Sequence, residues 1–184
     1  MKIFVNFLSI FRILSAFAIV PLFIFDMYIS TFILYLLASI SDWLDGFLAR
    51  KYNVCTKIGG VLDHIGDKLL VVNMLIMLIL ILPAWYVLVP VILMISREIY
   101  ISGLREFLGT QKIEMPVPKA RFSLGKVKTS FQMITLTLFL GYASDLFYIP
   151  EYILISGLWL SMTISLISAL QYTKTFTQKF KKIK

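Results

Sequence analysis

Four aspartates stand in two pairs in the first half of the chain: Asp42 with Asp45, three residues apart, and Asp63 with Asp67, four apart. On a helix both separations put the two side chains on one face, so each pair reads as a two-carboxylate clamp. Between them runs a short segment, 51–60, that ends in Gly59 and Gly60. Two neighbouring antiparallel helices can therefore aim both clamps at one spot. Four carboxylates converging in an apolar setting repel one another unless they are protonated or neutralised by cations. Oxygen donors without His or Cys favour a hard divalent ion, Mg²⁺ or Mn²⁺, and the charge of four carboxylates suits two such ions, a clamp fitted to phosphoryl chemistry. Cys55 is the only cysteine and His64 the only histidine, so an internal disulfide and His- or Cys-cluster metal sites are excluded.

The neighbours of the acids extend this reading. Gly46 follows Asp45, and Ala49 lies one turn on, which strips bulk from the helix face beside the carboxylates and lets something large approach the backbone. Arg50, eight residues from Asp42 on roughly the same face, is placed to hold a phosphate or pyrophosphate. Gly59 clears space one turn before Asp63.

The elements that position these residues lie in a membrane. With 184 residues, 59% of them hydrophobic, and a mean hydropathy of +0.88, the chain has more apolar surface than a soluble core of this size hides. The pattern predicts an all-α integral membrane bundle of six transmembrane helices forming one domain over residues 1–184. The spans fall at about 7–25, 30–48, 65–82, 84–104, 127–143 and 150–170, the first beginning as a helix that can lie at the interface up to about Phe11. The connections 26–31, 82–85 and 143–151 contain no Lys or Arg, whereas the formal charge of +8 gathers at Lys2, Arg12, Lys51, Lys57, Lys112, Lys119, Arg121 and the tail from Lys174. By the positive-inside rule both termini and the acidic site are cytoplasmic, in a multi-pass protein of the cell or inner membrane. The basic balance fits anionic lipid headgroups, and no module for nucleic acid is present. The non-apolar connections 49–62 and 108–126 are both cytoplasmic, the second kept extended by Pro116 and Pro118. Pro90 is expected to kink span four, and Trp43, Trp85, Tyr86, Tyr148, Tyr152 and Trp159 read mostly as interface anchors.

Together the acids and their neighbours form Asp42-x2-Asp45-Gly46-x2-Ala49-Arg50-x8-Gly59-x3-Asp63-x3-Asp67. This resembles the signature of the CDP-alcohol phosphotransferases in every fixed position and both spacings. The resemblance implies six spans around a cytoplasm-facing polar cavity, commonly in a homodimer. It also implies that Asp42, Asp45, Asp63 and Asp67 share two divalent ions and that Asp67 is the general base. Asp42, Gly46, Ala49 and Arg50 would contact the CDP-lipid, with Thr56, Lys57 and Gly59 as further positions of that pocket. Three more stretches are similar to the branch of the family that makes phosphatidylglycerol phosphate: Ser96 to Phe107, Leu124 to Thr129 with Gln132 and Met133, and the opening Asn6-x2-Ser9-x2-Arg12. Departures fall at His64, where relatives often carry a small residue or Pro, and in the stretch from Thr110 to Arg121.

Arg97 and Arg105, eight apart on span four, and Lys126, which opens span five on the same side, form a set of cations that calls for an anion. That anion is either the phosphate of an acceptor or the carboxylates of Glu98 and Glu106 and the site acids. The implied reaction is transfer of the phosphatidyl group of CDP-diacylglycerol to glycerol 3-phosphate, releasing CMP. Another acceptor, as in a cardiolipin synthase, stays open within the family. A cation channel or carrier is a different class that also uses acidic pairs, and Arg50 beside the acids argues against it.

Overall fold

The structure, a computed structural model, describes residues 2–52, 57–110 and 124–181. Among the described residues the chain forms six helices and no strand: α1 (Lys2–Ile24), α2 (Tyr28–Tyr52), α3 (Lys57–Ile81), α4 (Trp85–Thr110), α5 (Leu124–Ala143) and α6 (Glu151–Lys181). Helices are what such a chain must form, because a segment in hydrocarbon has to satisfy its backbone N–H and C=O groups within itself. Among the described residues four stretches are long and apolar enough to cross a membrane: Asn6–Ile24, Gly59–Ile81, Trp85–Thr110 and Glu151–Gln178. The other two helices are α2, which carries Asp42 and Asp45, and the 20-residue α5.

Hydropathy marks where a helix leaves the apolar layer and not where it ends, and the predicted connections are correspondingly shorter. Most of 49–62 is helical, since α2 runs on to Tyr52 and α3 starts at Lys57. Arg, Lys and Leu are good helix formers and carry the helices beyond the apolar runs. Likewise α1 runs without a break past Phe11. Cys55 and Thr56, and the stretch holding Lys112, Pro116, Pro118, Lys119 and Arg121, lie outside the described residues. Helices α1 and α5 end alike. Asp26 and Asp145 take left-handed backbone angles, φ 56° and 52°, which Asp tolerates better than most residues. Met27 N donates to Leu22 O and Asp26 N to Phe23 O, as Leu146 N does to Gly141 O and Asp145 N to Tyr142 O. Each pair of bonds satisfies carbonyls that a helix end leaves over.

The chain divides into two compact units, Met1–Leu82 with Leu136–Ile149, and Pro83–Thr135 with Pro150–Lys184. In the first unit α1 packs along both α2 and α3. Its buried face reads Ser9, Arg12, Ala16, Ile19 and Phe23, steps of three and four that keep one side of a helix. The face is apolar over its later turns, where it meets a core that includes Tyr35, Ala38, Leu70, Met74 and Leu78. It is polar over its first turns. Between the two parts Asn73 Nδ2 donates to Ala16 O at 2.8 Å. Lipid tails are as apolar as Leu, so small residues and such polar ties matter more to helix association here than in water.

The second unit shows how a proline is accommodated in a spanning helix. Pro90 has no N–H, so the carbonyl of Tyr86, four residues earlier, loses its helical donor. Helix α4 nonetheless continues through Pro90, which is buried. The missing donor comes from the neighbouring helix, because Trp159 Nε1 donates to Tyr86 O at 2.9 Å. Trp159, expected at the membrane interface, ties α6 to α4 through this bond. Replacing it by Phe should cost about 1 kcal/mol, the scale of one hydrogen bond between spanning helices. In a Pro90→Ala background, where the helix supplies its own N–H, that cost should shrink. A double-mutant cycle by thermal unfolding in detergent checks this, and equal costs in both backgrounds would refute the compensation.

Candidate active site

The site of the first unit is assembled by three helices. The second half of α2 carries Asp42 and Asp45, the first half of α3 carries Asp63 and Asp67, and the polar turns of α1 bring Arg12 between them. All four predicted aspartates meet around this one guanidinium. Arg12 Nη1 lies 2.7 Å from Asp63 Oδ1, 2.7 Å from Asp67 Oδ1 and 3.3 Å from Asp42 Oδ1, and Nη2 lies 2.5 Å from Asp45 Oδ2. Arg12 has no exposed surface. Its stem lies on Gly66, where an added Cβ would stand 3.5 Å from Arg12 Cδ and 3.3 Å from Ile13 Cγ1. The close approach of α1 to α3 between Asp63 and Asp67 is thus made by the lack of a side chain at position 66.

Burial divides the four acids. Asp45 is 5% exposed at its side chain, whereas Asp42, Asp63 and Asp67 are 27%, 44% and 39% exposed, so the cluster has a closed floor and an open side. On the open side Asp42, Asp63 and Asp67 each offer a carboxylate oxygen within 4.8 Å of the others, a group that could hold a metal ion. The donor set fits such an ion. With every acid ionised, one guanidinium against four carboxylates leaves three negative charges in excess, and oxygen-only donors favour a hard divalent cation.

Sequence reasoning placed Arg12 among the surface charges and missed its position at the centre of the acids. The signal was present: it falls within the predicted first span, and a charge inside a span is a functional candidate by default. Of the residues assigned to the CDP-lipid pocket, Asp42 stands in the cluster and Gly59 is buried near the start of α3. Gly46, Ala49 and Arg50 fall in α2, and Lys57 in α3, but their side chains, like all of Thr56, lie outside the described residues.

A second polar group lies within the other unit. Arg97 Nε donates to Ser165 O at 3.2 Å, Nη2 to Ser168 Oγ at 3.3 Å and Nη1 to Glu98 Oε1 at 3.3 Å. The same Glu98 oxygen accepts from Lys128 Nζ. Around this group runs a polar seam of Lys128, Gln132 and Thr135 on α5 and Ser161, Ser165 and Ser168 on α6, all buried. Among the described residues, Gln132 Nε2 and the hydroxyls of Ser161 and Ser165 have no hydrogen-bond partner. Of the predicted cation set, Arg97 is here. Arg105 stands 5.6 Å over the ring of Tyr172, and the side chain of Lys126 lies outside the described residues. Lys128 went unassigned in sequence, although its spacing of four and seven from Gln132 and Thr135 marks a polar helix face.

A helical membrane chain with two such aspartate pairs facing each other is the frame of one family. The chain belongs to the CDP-alcohol phosphatidyltransferases, whose family model matches residues 2–169; these enzymes are transferases of phospholipid biosynthesis. It is similar to the CDP-diacylglycerol–glycerol-3-phosphate 3-phosphatidyltransferase of Rickettsia bellii, with 36% identity over 95% of this chain and 96% of the relative. The proteins of the same name from Haemophilus influenzae and Shigella flexneri serotype 5b are 32% and 33% identical, each over 90% of this chain and over 89% and 90% of the relatives.

The approach at Gly66 is open to test. A β-branched side chain there must displace Ile13 and the Arg12 stem, so Gly66→Val should destabilise the protein by about 1–3 kcal/mol, the usual range for overpacking. Gly66→Ala gains helix propensity against a mild contact and should come out near neutral. Thermal unfolding of both variants in detergent checks the contrast, and a Val variant as stable as wild type would contradict the packing described.

Proposed function

We propose that this chain transfers the phosphatidyl group of CDP-diacylglycerol to sn-glycerol 3-phosphate, giving phosphatidylglycerol phosphate and CMP. The observation that carries the reading is the convergence of Asp42, Asp45, Asp63 and Asp67 at one point, in a chain whose similar relatives are named for this reaction. In the proposed mechanism the four aspartates would hold two divalent cations, Mg²⁺ or Mn²⁺. Ions of this kind, when bound, neutralise the charge of a pyrophosphate and of the leaving nucleotide. Asp42, Gly46, Ala49, Arg50, Thr56, Lys57 and Gly59 form the pocket for the CDP-lipid, with Arg50 on its phosphates. Asp67 accepts the proton of a glycerol hydroxyl. That oxygen bonds to the phosphorus carrying diacylglycerol as the bond from phosphorus to the CMP oxygen breaks.

The acceptor's phosphate is assigned to Arg97, Arg105 and Lys126, and we add Lys128, which shares Glu98 with Arg97. Two cations sharing one carboxylate leave a positive charge over, and the unpaired Gln132, Ser161 and Ser165 groups supply buried donors beside them. A phosphorylated polyol needs both. We further place all six helices across the membrane around a cavity open to the cytoplasm, with both termini on that side, in a homodimer whose protomer acts as one domain. The Lys- and Arg-free connections 26–31, 82–85 and 143–151 support that orientation.

Release of CMP from CDP-diacylglycerol by purified protein, measured with glycerol 3-phosphate, glycerol, inositol phosphate, serine and phosphatidylglycerol in turn, tests the reaction. Turnover should need glycerol 3-phosphate, stop with chelator and return with Mg²⁺ or Mn²⁺, and full turnover in excess chelator would end the metal assignment. Arg97→Gln should raise the KM for glycerol 3-phosphate about tenfold to a hundredfold, the loss of one charge-assisted hydrogen bond, with the KM for CDP-diacylglycerol nearly unchanged. The reverse pattern would move the acceptor site elsewhere.

A further inference from the structure

Arg12 has no role in the mechanism above, yet it occupies the centre of the acidic site. Its Nη1 is 2.7 Å from Asp63 Oδ1, 2.7 Å from Asp67 Oδ1 and 3.3 Å from Asp42 Oδ1. These are the residues whose oxygens lie within 4.8 Å of one another. Nη1 therefore stands at a point from which a cation could touch all three. Two positive groups cannot share that point. Nη2 faces the other way, to Asp45 Oδ2, the buried acid outside that group.

How the guanidinium is held bears on whether it can move. Among the described residues it bonds only to the aspartates, and Nε is buried with no partner. The stem is held by packing, but the charged end is held by the carboxylates alone. If cations take Asp42, Asp63 and Asp67, nothing is left to keep Nη1 at the centre, whereas the bond of Nη2 to Asp45 can survive on the closed floor.

We propose that Arg12 is a built-in counter-cation of this site: it holds the four carboxylates together in the metal-free protein and withdraws Nη1 as divalent cations take Asp42, Asp63 and Asp67. The inference rests on the metal reading of the aspartates. It makes Arg12 a positioning residue with two opposed effects. The metal-free helices can associate with their acids already converged, because the guanidinium offsets the repulsion. Each arriving ion then competes with a fixed positive charge and binds more weakly than the carboxylates alone would hold it.

The test compares wild type with Arg12→Gln, both purified in Mn²⁺ as full-length protein in detergent. Mn²⁺ affinity is read from the electron paramagnetic resonance of the free ion, and thermal unfolding is followed in chelator and in saturating Mn²⁺. The variant should bind Mn²⁺ roughly tenfold more tightly or better, since a charge that opposes the ion at contact distance is gone. In chelator it should unfold below wild type, and saturating Mn²⁺ should close that gap. An unchanged or weaker affinity would overturn the proposal and make Arg12 a plain structural support of the ligands. So would a variant that fails to fold even in saturating Mn²⁺, because the ions must be able to take over its charge. If wild type itself bound no Mn²⁺, the metal reading would fall and the counter-cation role with it.

Discussion

Four carboxylates held within reach of one buried guanidinium set the terms for the first unit of this protein. In a medium where charge is poorly solvated, neither partner is tolerable alone: the acids repel, and a lone Arg in a spanning helix is costly. The ion cluster therefore demands that α1, α2 and α3 come together at one level, and the sequence meets the demand locally. Gly66 lets α1 approach α3 beside Arg12, Ala16 and Ala38 keep the next turns thin, and Asn73 ties α3 to α1 beyond them. The rest of the interface is apolar filling. Because a single positive charge does not balance four acids, the same cluster that joins the helices is left attractive to further cations.

The second unit solves a related problem without an excess of acid. Arg97 and Lys128 share Glu98, and the spare donors of Arg97 go to Ser165 O and Ser168 Oγ on α6. Near the start of α4 the carbonyl freed by Pro90 is served by Trp159. Both are cases of one rule: a buried polar group is costly unless it is paired, so in lipid a partner must come from a neighbouring helix. Among the described residues, Gln132, Ser161 and Ser165 each keep a buried polar group that no such partner serves.

Seen chemically, the two polar clusters have opposite sign. One is a carboxylate cluster short of positive charge, and the other is a pair of cations short of negative charge. Phosphoryl transfer between anionic partners asks for both, since its catalysis is mostly positioning and charge stabilisation with little covalent work for the protein. On the proposed reading, the acids serve cations that gather a pyrophosphate, and the Arg97 and Lys128 cluster serves a phosphate carried on the acceptor. This division of labour gives physical content to the likeness with enzymes named for joining CDP-diacylglycerol to glycerol 3-phosphate.

The sequence by itself determined the helical class, the apolar stretches, the family and the meeting of the two aspartate pairs. Each rests on local regularity: runs of apolar residues, and spacings of three and four that fix a helix face whatever surrounds it. Helix ends were less legible, because α2 and α3 continue past the apolar runs on residues such as Arg50 and Lys57 that hydropathy reads as loop. Asp45 and Asp42 looked equivalent in sequence, and only the approach of α1 made one the floor of the site and left the other on its open side. The same holds for Arg12, Lys128 and Trp159. Their types and positions are local facts, but their partners lie 30 to 55, 30 and 73 residues away in the chain. Which polar group a buried donor finds depends on which helices pack together, and that is settled by tertiary structure, since the periodicity of one helix names a face without naming what the face meets.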